Sequence, residues 1–344
     1  MGLPKECAFT IENRFPKGER NLITDVAGVK VGHVTLEDAE KNIHTGVTAI
    51  LPHGGNLFLD KVLAGVCVIN GFGKSAGLVQ VDELGTIEAP ILMTNTFGVG
   101  TGLNADIKYM LDQNPDIGVT TGTVNCVVTE CNDGSLNDIR GMHLTQENVW
   151  EAIERASEDF EEGAVGGGTG MICMGLKGGI GSASRIIECD GTPYTLGAIV
   201  MSNFGVKGNL RIDGKRVPMP EERNDEKGSV IIVLATDIPL NERQLRRVSR
   251  RATVGLARVG SYLGNGSGDI AIAFSTGNRV PHYSEQDILP VKMFHDNAMD
   301  KIFEATAEVV EEAVISSLYH GKTMVGIREK KIKSLRESHH PQQQ

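Results

Sequence analysis

The segment with the clearest chemical potential is a polar turn at residues 264–269 (Gly-Asn-Gly-Ser-Gly-Asp), which leads into an apolar run that predicts a buried strand. Glycine accepts backbone angles that other residues resist, so a forced turn of this kind can place the Ser267 hydroxyl against the carbonyl of Gly266. Attack by that hydroxyl would convert the amide into an ester, and hydrolysis would then free Ser267 as a new amino terminus. Taken alone, the same residues also fit an ordinary β-turn.

A serine at an amino terminus can act as a nucleophile without a histidine partner. Its α-amine has an ordinary pKa of about 8, so a useful fraction is neutral at working pH. The amine can then act as general base for the hydroxyl of the same residue. The nine histidines of the chain form no obvious triad pattern. Ser267 is therefore the candidate nucleophile of a self-processing hydrolase.

Other glycine motifs suggest phosphate or nucleotide binding, but the spacing is wrong in two of them. At residues 98–102 the third glycine stands one residue too early for a dinucleotide-binding loop. Residues 73–75 (Gly-Lys-Ser) have the ending of a phosphate-binding loop, but Val68 occupies the place of the required earlier glycine. For the glycine-dense stretch at residues 163–181, close backbone packing is favoured over phosphate or oxyanion binding.

The composition argues against several classes of partner. A net charge of −10 does not suit a duplex nucleic acid, which needs a basic protein face. The first residues contain no apolar core of secretory length, and no stretch reaches the length of a membrane helix, so we expect a cytoplasmic chain with no membrane partner. The six cysteines form no C-x-x-C pair, and we expect neither a metal nor another cofactor.

Hydrophobic periodicity and turn residues predict a chain that alternates strands and helices. The predicted strands lie at residues 47–51, 66–70, 119–130, 196–201 and 229–236, with a hairpin around Gly28. The predicted helices lie at residues 104–111 and 147–156, from about Asn241 onward, and from about Asp296 to Gly321. We expect residues 207–227 to be a mobile loop and residues 327–344 to be a frayed tail.

The chain resembles the L-aminopeptidase/D-esterase/amidase and β-peptidyl aminopeptidase family, peptidase family S58, whose members are N-terminal-nucleophile-type hydrolases. The resemblance runs from about Asn21 to Gly326 and rests on nine motifs in one order. Besides the serine turn at residues 264–269, these motifs are residues 21–33 (NLITDVAGVKVGH), 70–74 (NGFGK), 83–91 (ELGTIEAPI), 94–96 (TNT), 130–134 (ECNDG), 165–170 (VGGGTG), 177–185 (KGGIGSASR) and 236–240 (TDIPL).

The resemblance implies a single α/β domain over residues 1–344. The implied fold is an αββα four-layer sandwich, in which two central, mostly antiparallel sheets are flanked by helices. It also implies autocleavage into an α chain (residues 1–266) and a β chain (residues 267–344), which stay associated in a homotetramer of processed units. The implied activity is removal of an N-terminal residue from short peptides, amides or esters, without a metal or another cofactor.

The resemblance also assigns roles to individual residues. Ser267 takes the nucleophile position, and Gly266 stands before the cut. Asn203 matches a hydrogen-bond donor to the developing oxyanion. Glu130 matches an acidic residue that pairs with the ammonium group of the substrate, and Asn132 belongs to the same substrate-binding motif.

The family places a hydroxyl residue and, two positions later, a glutamate on the final helix, where they support the nucleophile. The surrounding pattern favours residues 310–312, which makes Glu312 the glutamate and leaves Val310 where serine or threonine is expected. The competing register uses Thr306 and Glu308 and keeps the hydroxyl. Helical geometry leaves both open, because residues two apart point in different directions.

Two other functions stay open. An N-terminal-nucleophile acyltransferase of amino-acid metabolism would share the chemistry, but that class is expected to use threonine, so Ser267 argues against it. A non-catalytic oligomeric scaffold would retain the fold; the presence of Ser267 and Asn203 argues against it, and Val310 favours it. The sequence leaves open the physiological substrate and the preference for L-, D- or β-residues.

Overall fold

The computed structural model describes Phe9, residues 11–220 and residues 225–339. In that part of the chain the strands are β1 (Lys30–Asp38), β2 (Ile43–Leu51), β3 (Asp60–Gly71), β4 (Thr86–Ile87), β5 (Ile91–Asn95), β6 (Val127–Cys131), β7 (Ile172–Cys173), β8 (Leu176–Lys177), β9 (Gly179–Cys189), β10 (Thr192–Asn203), β11 (Arg211–Ile212), β12 (Lys215–Arg216), β13 (Lys227–Thr236), β14 (Gly266–Pro281), β15 (Met324–Gly326) and β16 (Lys330–Ile332). The helices are α1 (Leu78–Leu84), α2 (Val99–Gln113), α3 (Gln146–Glu154), α4 (Glu242–Arg258), α5 (Met299–Tyr319) and α6 (Leu335–Ser338).

Two sheets form the centre of the molecule. The smaller sheet has the order β1-β2-β5-β6, and the larger has the order β4-β3-β14-β13-β10-β9. Neighbouring strands are antiparallel except for two parallel pairs, β5 with β6 and β13 with β14. Every residue of β5 and of β6 is buried, as expected for strands covered on both faces.

The sheets pack face to face, and helices cover both outer surfaces. Alternation along β14 shows this directly, because successive strand side chains point to opposite faces. Ile270, Ile272 and Phe274 lie in the apolar cluster between the sheets, whereas Ala271 and Ala273 lie in the cluster that includes α4 and α5. A third cluster joins α2 and α3 to the outer face of the smaller sheet. The layers are therefore α, β, β and α, which confirms the predicted fold.

Strand β14 occupies the middle of the larger sheet. It pairs with β3 on one side and with β13 on the other. Small residues let the helix layer approach closely at this point: a Cβ built on Gly65 of β3 would lie 2.4 Å from the backbone nitrogen of Arg246 in α4. This close approach lies along the middle of β14, since Gly65 pairs with Ala273, while Ser267 lies at the amino-terminal end of the strand.

Several local predictions differ from the structure. The predicted hairpin around Gly28 is wrong, because residues 23–25 form a 3-10 turn and the first strand begins at Lys30. The predicted strand at residues 119–130 is confirmed only from Val127. Residues 207–220 are not the loose loop we expected, since Leu210, Ile212 and Val217 are buried in the core. Within the expected loop, residues 221–224 lie outside the described residues.

The chain after Gly326 is folded as far as residue 339. The pairing of β15 with β16 and the short helix α6 follow one another, and Leu335 is fully buried. The expectation of a frayed tail is therefore wrong for residues 327–339, and residues 340–344 lie outside the described part. No helix in the described ranges is both long and apolar enough to cross a membrane.

Candidate active site

Ser267 lies at the end of a turn in which the carbonyl oxygen of Gly264 accepts two hydrogen bonds. The Ser267 amide donates to the carbonyl oxygen of Gly264 at 3.0 Å, which closes the turn. The side-chain amide of Asn70, on the neighbouring strand β3, donates to the same oxygen at 2.5 Å. Leu263, immediately before the turn, has a φ of +59°, a conformation that costs a non-glycine residue energy and is found mainly where surrounding structure enforces it. The turn is thus fixed from both sides.

A buried carboxylate fixes the segment that precedes this turn. Glu226 accepts hydrogen bonds from the Ser261 hydroxyl and from the Tyr262 amide, the latter at 2.8 Å. In return, the Glu226 amide donates to the Tyr262 hydroxyl at 2.7 Å. A Cβ at Gly264 would lie 2.5 Å from the Glu226 carbonyl oxygen, so only glycine fits there without a shift. These contacts leave the turn little freedom to relax.

The Ser267 hydroxyl has a carboxylate partner. Its oxygen donates to Oδ1 of Asp269 at 2.6 Å, and both residues are 1% exposed. Residues two apart on a strand share a face, which explains why they meet. Burial raises the pKa of Asp269 to about 6, the Ser267 hydrogen bond opposes that rise, and the charge of Glu226 adds to it. At neutral pH Asp269 is therefore largely a carboxylate that accepts a hydrogen bond from the Ser267 hydroxyl.

Asn203 is the last residue of β10 and lies at the same end of the larger sheet's strands as Ser267. It pairs in register with Ser229 of β13, and the preceding residue Gly228 pairs with Ser267 of β14. Strands are about 4.8 Å apart, so two strand spacings, about 10 Å, separate Asn203 from the nucleophile strand. Gly228 has a φ of +116°, and a Cβ there would lie 2.0 Å from the Asn203 carbonyl oxygen. Glycine is required for this close approach.

The side chain of Asn203 is oriented by two backbone groups. Its Oδ1 accepts from the amide of Ile172 at 2.9 Å, and its Nδ2 donates to the carbonyl of Asn132 at 3.0 Å. The same three residues, together with Gly228, line a cavity of about 950 Å³. Because Gly228 is the register partner of Ser267, this cavity extends to the strand position next to the nucleophile.

Glu130 approaches the nucleophile from the smaller sheet. It is buried near the end of β6, where one carboxylate oxygen accepts from the Lys74 amide at 2.8 Å and the other from the Thr96 hydroxyl. Gly73 lies between the two sheets: a Cβ there would be 3.3 Å from Oε1 of Glu130 and 3.8 Å from the Cα of Gly268. The carboxylate is thus separated from the nucleophile strand by a single glycine.

The backbone of the same segment binds the nucleophile directly. The Phe72 amide donates to the carbonyl oxygen of Ser267 at 3.3 Å. Asn132, two residues after Glu130, has an exposed side chain whose Oδ1 accepts from the Gly134 amide at 2.9 Å. Strand register and these contacts therefore place Glu130, Asn132 and Asn203 at the same end of the sheets as Ser267.

Glu312 is placed elsewhere. It lies on α5, where it accepts from Nη2 of Arg185 at 2.5 Å and from Nζ of Lys17 at 2.6 Å, and Asn13 and Asn21 donate to it as well. Burial alone would raise the pKa of Glu312, but Arg185 and Lys17 outweigh burial and lower it. None of these described partners belongs to the region around Ser267.

The two candidates for the hydroxyl position also have other contacts. The Thr306 hydroxyl donates to the Ile302 carbonyl one turn earlier at 2.6 Å. Val310 packs against α4, where a Cβ on Gly255 would be 2.7 Å from the Cβ of Val310. The Thr306 hydroxyl has no described hydrogen bond to Ser267, and Val310 has no side-chain group that could form one.

The sequence interpretation missed three residues that contact the serine turn. Asp269 had a usable signal, since a carboxylate two positions after a serine at the start of a strand shares its face. Asn70 belongs to a recognised motif, but its bond to Gly264 joins distant segments. Glu226 falls in the stretch expected to be mobile. Among the described residues, no group of three or more histidine, cysteine, aspartate or glutamate side chains is arranged to hold a metal ion.

Comparison with known proteins identifies the family of the chain. The model of peptidase family S58 matches residues 21–332. The β-peptidyl aminopeptidase BapA from Sphingosinicella microcystinivorans is 38% identical over 338 residues, covering 90% of this chain and 84% of the relative. The crystal structure of the PH0078 protein from Pyrococcus horikoshii OT3 matches with a TM-score of 0.91 and 52% identity, covering 96% of this chain and 95% of that one.

A third comparison bears on the type of chemistry. The L-aminopeptidase D-Ala-esterase/amidase from Ochrobactrum anthropi matches with a TM-score of 0.86 and 36% identity, covering 95% of this chain and 94% of that one. It is described as a prototype for the serine aminopeptidases and as a variant of the N-terminal-nucleophile hydrolase fold. The chain therefore belongs to peptidase family S58, and it is a hydrolase of the serine aminopeptidase class with this fold.

Proposed function

We propose that the chain cuts itself between Gly266 and Ser267 and then uses Ser267 to release N-terminal residues from short peptides, amides or esters. The observation that carries the proposal is the position of Ser267. It follows a turn held by two donors to Gly264, it begins a central strand, and its register partner Gly228 lines a large cavity. A plain β-turn does not require these contacts.

Self-processing would proceed in two steps. The Ser267 oxygen attacks the carbonyl carbon of Gly266, the C–N bond breaks, and an ester forms between Gly266 and Ser267. Water then hydrolyses the ester, which leaves the Gly266 carboxylate and restores the hydroxyl beside a free α-amine. The fixed turn favours the first step because the reacting groups are held in place before reaction.

In turnover, the α-amine of Ser267 acts as general base for its own hydroxyl, and the acyl group of the substrate is transferred to that oxygen. Asn203 supplies a hydrogen bond to the oxyanion. One hydrogen of its Nδ2 is used by the Asn132 carbonyl, which holds the amide plane in position and leaves the second hydrogen for the substrate. A positioned donor of this type contributes on the order of 3 kcal/mol to the transition state.

Glu130 is proposed to select substrates with a free amino terminus. Its carboxylate accepts two hydrogen bonds in the structure, and a carboxylate offers roughly four acceptor positions. A substrate ammonium could therefore bind without displacing either donor. The position of Glu130 across Gly73 from the nucleophile strand suits a charged group one residue away from the bond to be cut.

The relatives suggest the substrate range. One is a β-peptidyl aminopeptidase, and another is an L-aminopeptidase that is also a D-Ala-esterase/amidase. We propose that this chain likewise accepts amides and esters of N-terminal residues. The homotetramer and the cytoplasmic location stay predictions. Glu312 is not used in the proposed steps, because its hydrogen bonds join it to Arg185 and the amino-terminal segment.

The experiment compares the wild type, Ser267→Ala and the control Ser275→Ala. Ser275 lies on the same strand, but its hydroxyl donates to the Ile238 carbonyl, far along β14 from the turn. By intact mass, the wild type and the control should give fragments of 266 and 78 residues, whereas Ser267→Ala should stay one chain of 344 residues. Only the wild type and the control Ser275→Ala should hydrolyse aminoacyl amides and esters.

The outcomes separate the alternatives. Uncut wild-type chain together with no hydrolysis across an aminoacyl panel would favour the scaffold. Transfer of the acyl group to an added amine in clear preference to water would favour the acyltransferase. Cleavage that persists in Ser267→Ala would remove Ser267 from the mechanism.

A further inference from the structure

The first step of self-processing needs a base that the processed enzyme does not need. In the uncut chain the nitrogen of Ser267 belongs to a peptide bond, so its lone pair is delocalised and it cannot accept a proton. Its hydrogen is already donated to the Gly264 carbonyl. The α-amine that serves turnover therefore does not exist until the cut has been made.

We infer that Asp269 is the general base and then the general acid of the self-cleavage reaction. This inference rests on the proposed function, since it concerns the way Ser267 first becomes an amino terminus. Asp269 is positioned for this role by the 2.6 Å hydrogen bond that it accepts from the Ser267 hydroxyl. Among the described residues, Oδ1 of Asp269 is the atom that accepts the hydrogen bond of the Ser267 hydroxyl.

The step balances in atoms and charge. The Asp269 carboxylate takes the proton of the Ser267 hydroxyl as the oxygen bonds to the carbonyl carbon of Gly266. The resulting tetrahedral centre collapses, the C–N bond breaks, and the protonated Asp269 gives the proton to the departing nitrogen. The products are an ester between Gly266 and Ser267, a free α-amine and the original carboxylate.

The surroundings of Asp269 support this double role. It is fully enclosed, and burial raises its pKa to about 6, close enough to neutrality for it to accept and return a proton efficiently. The titratable groups that act on it are Glu226, from the segment before β13, and Cys131 of β6, while the Val230 amide of β13 donates a hydrogen bond to it. Glu226 favours the protonated form, and the hydrogen bonds from Ser267 and Val230 favour the charged form.

The test follows the conversion of freshly purified uncut chain by intact mass over time. The variants are Asp269→Asn, Asp269→Glu and the control Asp237→Asn. Asp237 is a partly buried carboxylate beyond the far end of the neighbouring strand, where it accepts from the Thr195 amide at 2.7 Å. We expect Asp269→Asn to cleave at least about 100-fold more slowly, within the range attributed to general acid–base catalysis. Asp269→Glu should recover part of the rate, and the control should match the wild type.

The pH dependence distinguishes a base from a structural support. The wild-type rate should rise with pH through about 6 and then level off, because cleavage requires the Asp269 carboxylate. That inflection should disappear in Asp269→Asn. If this variant does not fold, the wild-type profile and Asp269→Glu still decide: a wild-type rate independent of pH between about 5 and 8 overturns the role.

Hydroxylamine shows which step Asp269 serves, because this nucleophile cleaves esters far faster than amides. If Asp269 promotes the acyl shift, Asp269→Asn forms no ester and hydroxylamine releases no fragment that ends in a Gly266 hydroxamate, whereas cleavage at the Asn70–Gly71 and Asn265–Gly266 bonds gives fragments of other masses. A fragment that ends in a Gly266 hydroxamate would show that the shift proceeds without Asp269, and this result would overturn the inference. Failure of the wild type to cleave would instead refute the proposed function, so the two failures are distinguishable.

Discussion

Replacement of Asp106 by asparagine is expected to stabilise the protein, by an amount that grows with pH. Asp106 lies on α2 and is fully buried, and in the described part of the chain its carboxyl group has no hydrogen-bond partner other than the nearby Cys126 thiol. Burial raises the pKa of Asp106 to about 8, and the nearby Cys126 thiol only partly opposes this. The folded protein therefore holds a proton that the unfolded chain releases.

The magnitude follows from the linkage between proton binding and folding. Because the folded pKa of Asp106 lies above its ordinary value of 3.8, the stability present below that value is lost as the pH rises toward about 8. Each pH unit in this window costs about 1.4 kcal/mol, so roughly 4 kcal/mol is lost by pH 7. Asparagine is neutral at every pH and removes this contribution to the slope.

The assay is urea unfolding in a Ser267→Ala background, in which every molecule is expected to remain one chain. The single tryptophan, Trp150, is a local probe because its ring nitrogen donates to the carbonyl of Ala105, next to Asp106. From pH 5 to 7 the difference in unfolding free energy between Asp106→Asn and its parent should widen by about 1.4 kcal/mol per unit. Asp112→Asn, at an exposed position of the same helix, should show no such trend. Parallel curves for Asp106→Asn and its parent would refute the argument.

Three further predictions concern the candidate site and its surroundings. In processed enzyme, Asn203→Ala should lower kcat by about 10²- to 10³-fold with a smaller change in KM; steady-state kinetics showing an unchanged kcat would exclude the oxyanion role. Glu312→Gln should cost about 3–5 kcal/mol of unfolding free energy, because it breaks a buried pair with Arg185; its kcat per folded molecule should stay normal, and a loss of kcat at unchanged stability would favour a catalytic role. Asn70→Ala removes a donor to the Gly264 carbonyl worth about 1 kcal/mol, so self-cleavage should slow by roughly fivefold; equal or faster cleavage in a time course would contradict the idea of a held turn.

Most strands and helices and the serine turn could be predicted from the sequence because they depend on local patterns, whereas the four-layer arrangement was predicted only from the family resemblance. Alternation along β14 and the glycines around Ser267 are visible within a few residues. The contacts of Glu226 could not be predicted in this way. It lies in a polar stretch, yet its carboxylate turns inward to a segment 35 residues away and accepts from the Ser261 hydroxyl. Such pairings depend on tertiary packing, which a local pattern does not contain.

The dependence on tertiary packing also explains why Glu312 contacts Arg185 and not Ser267. Its position on α5 was predictable, but the burial of Arg185 on β9 opposite that helix was not. A glutamate that a motif alignment assigns to the nucleophile proves to hold a buried arginine and the amino-terminal segment. Asp269 is the converse case, since its contact with Ser267 follows from strand periodicity and could have been predicted.

The central position of β14 has a consequence for the unfolding of a processed molecule. The 78-residue product of cleavage would contribute both this strand and α5, so the two products would share one sheet and one core. Unfolding of the cut protein would then also be dissociation, and its midpoint would rise with protein concentration, whereas that of the uncut chain would not. Recovery would require two separate polypeptides to meet again. Maturation would thus convert a first-order folding reaction into a second-order one, and in dilute solution a processed molecule that unfolds would not be expected to re-form.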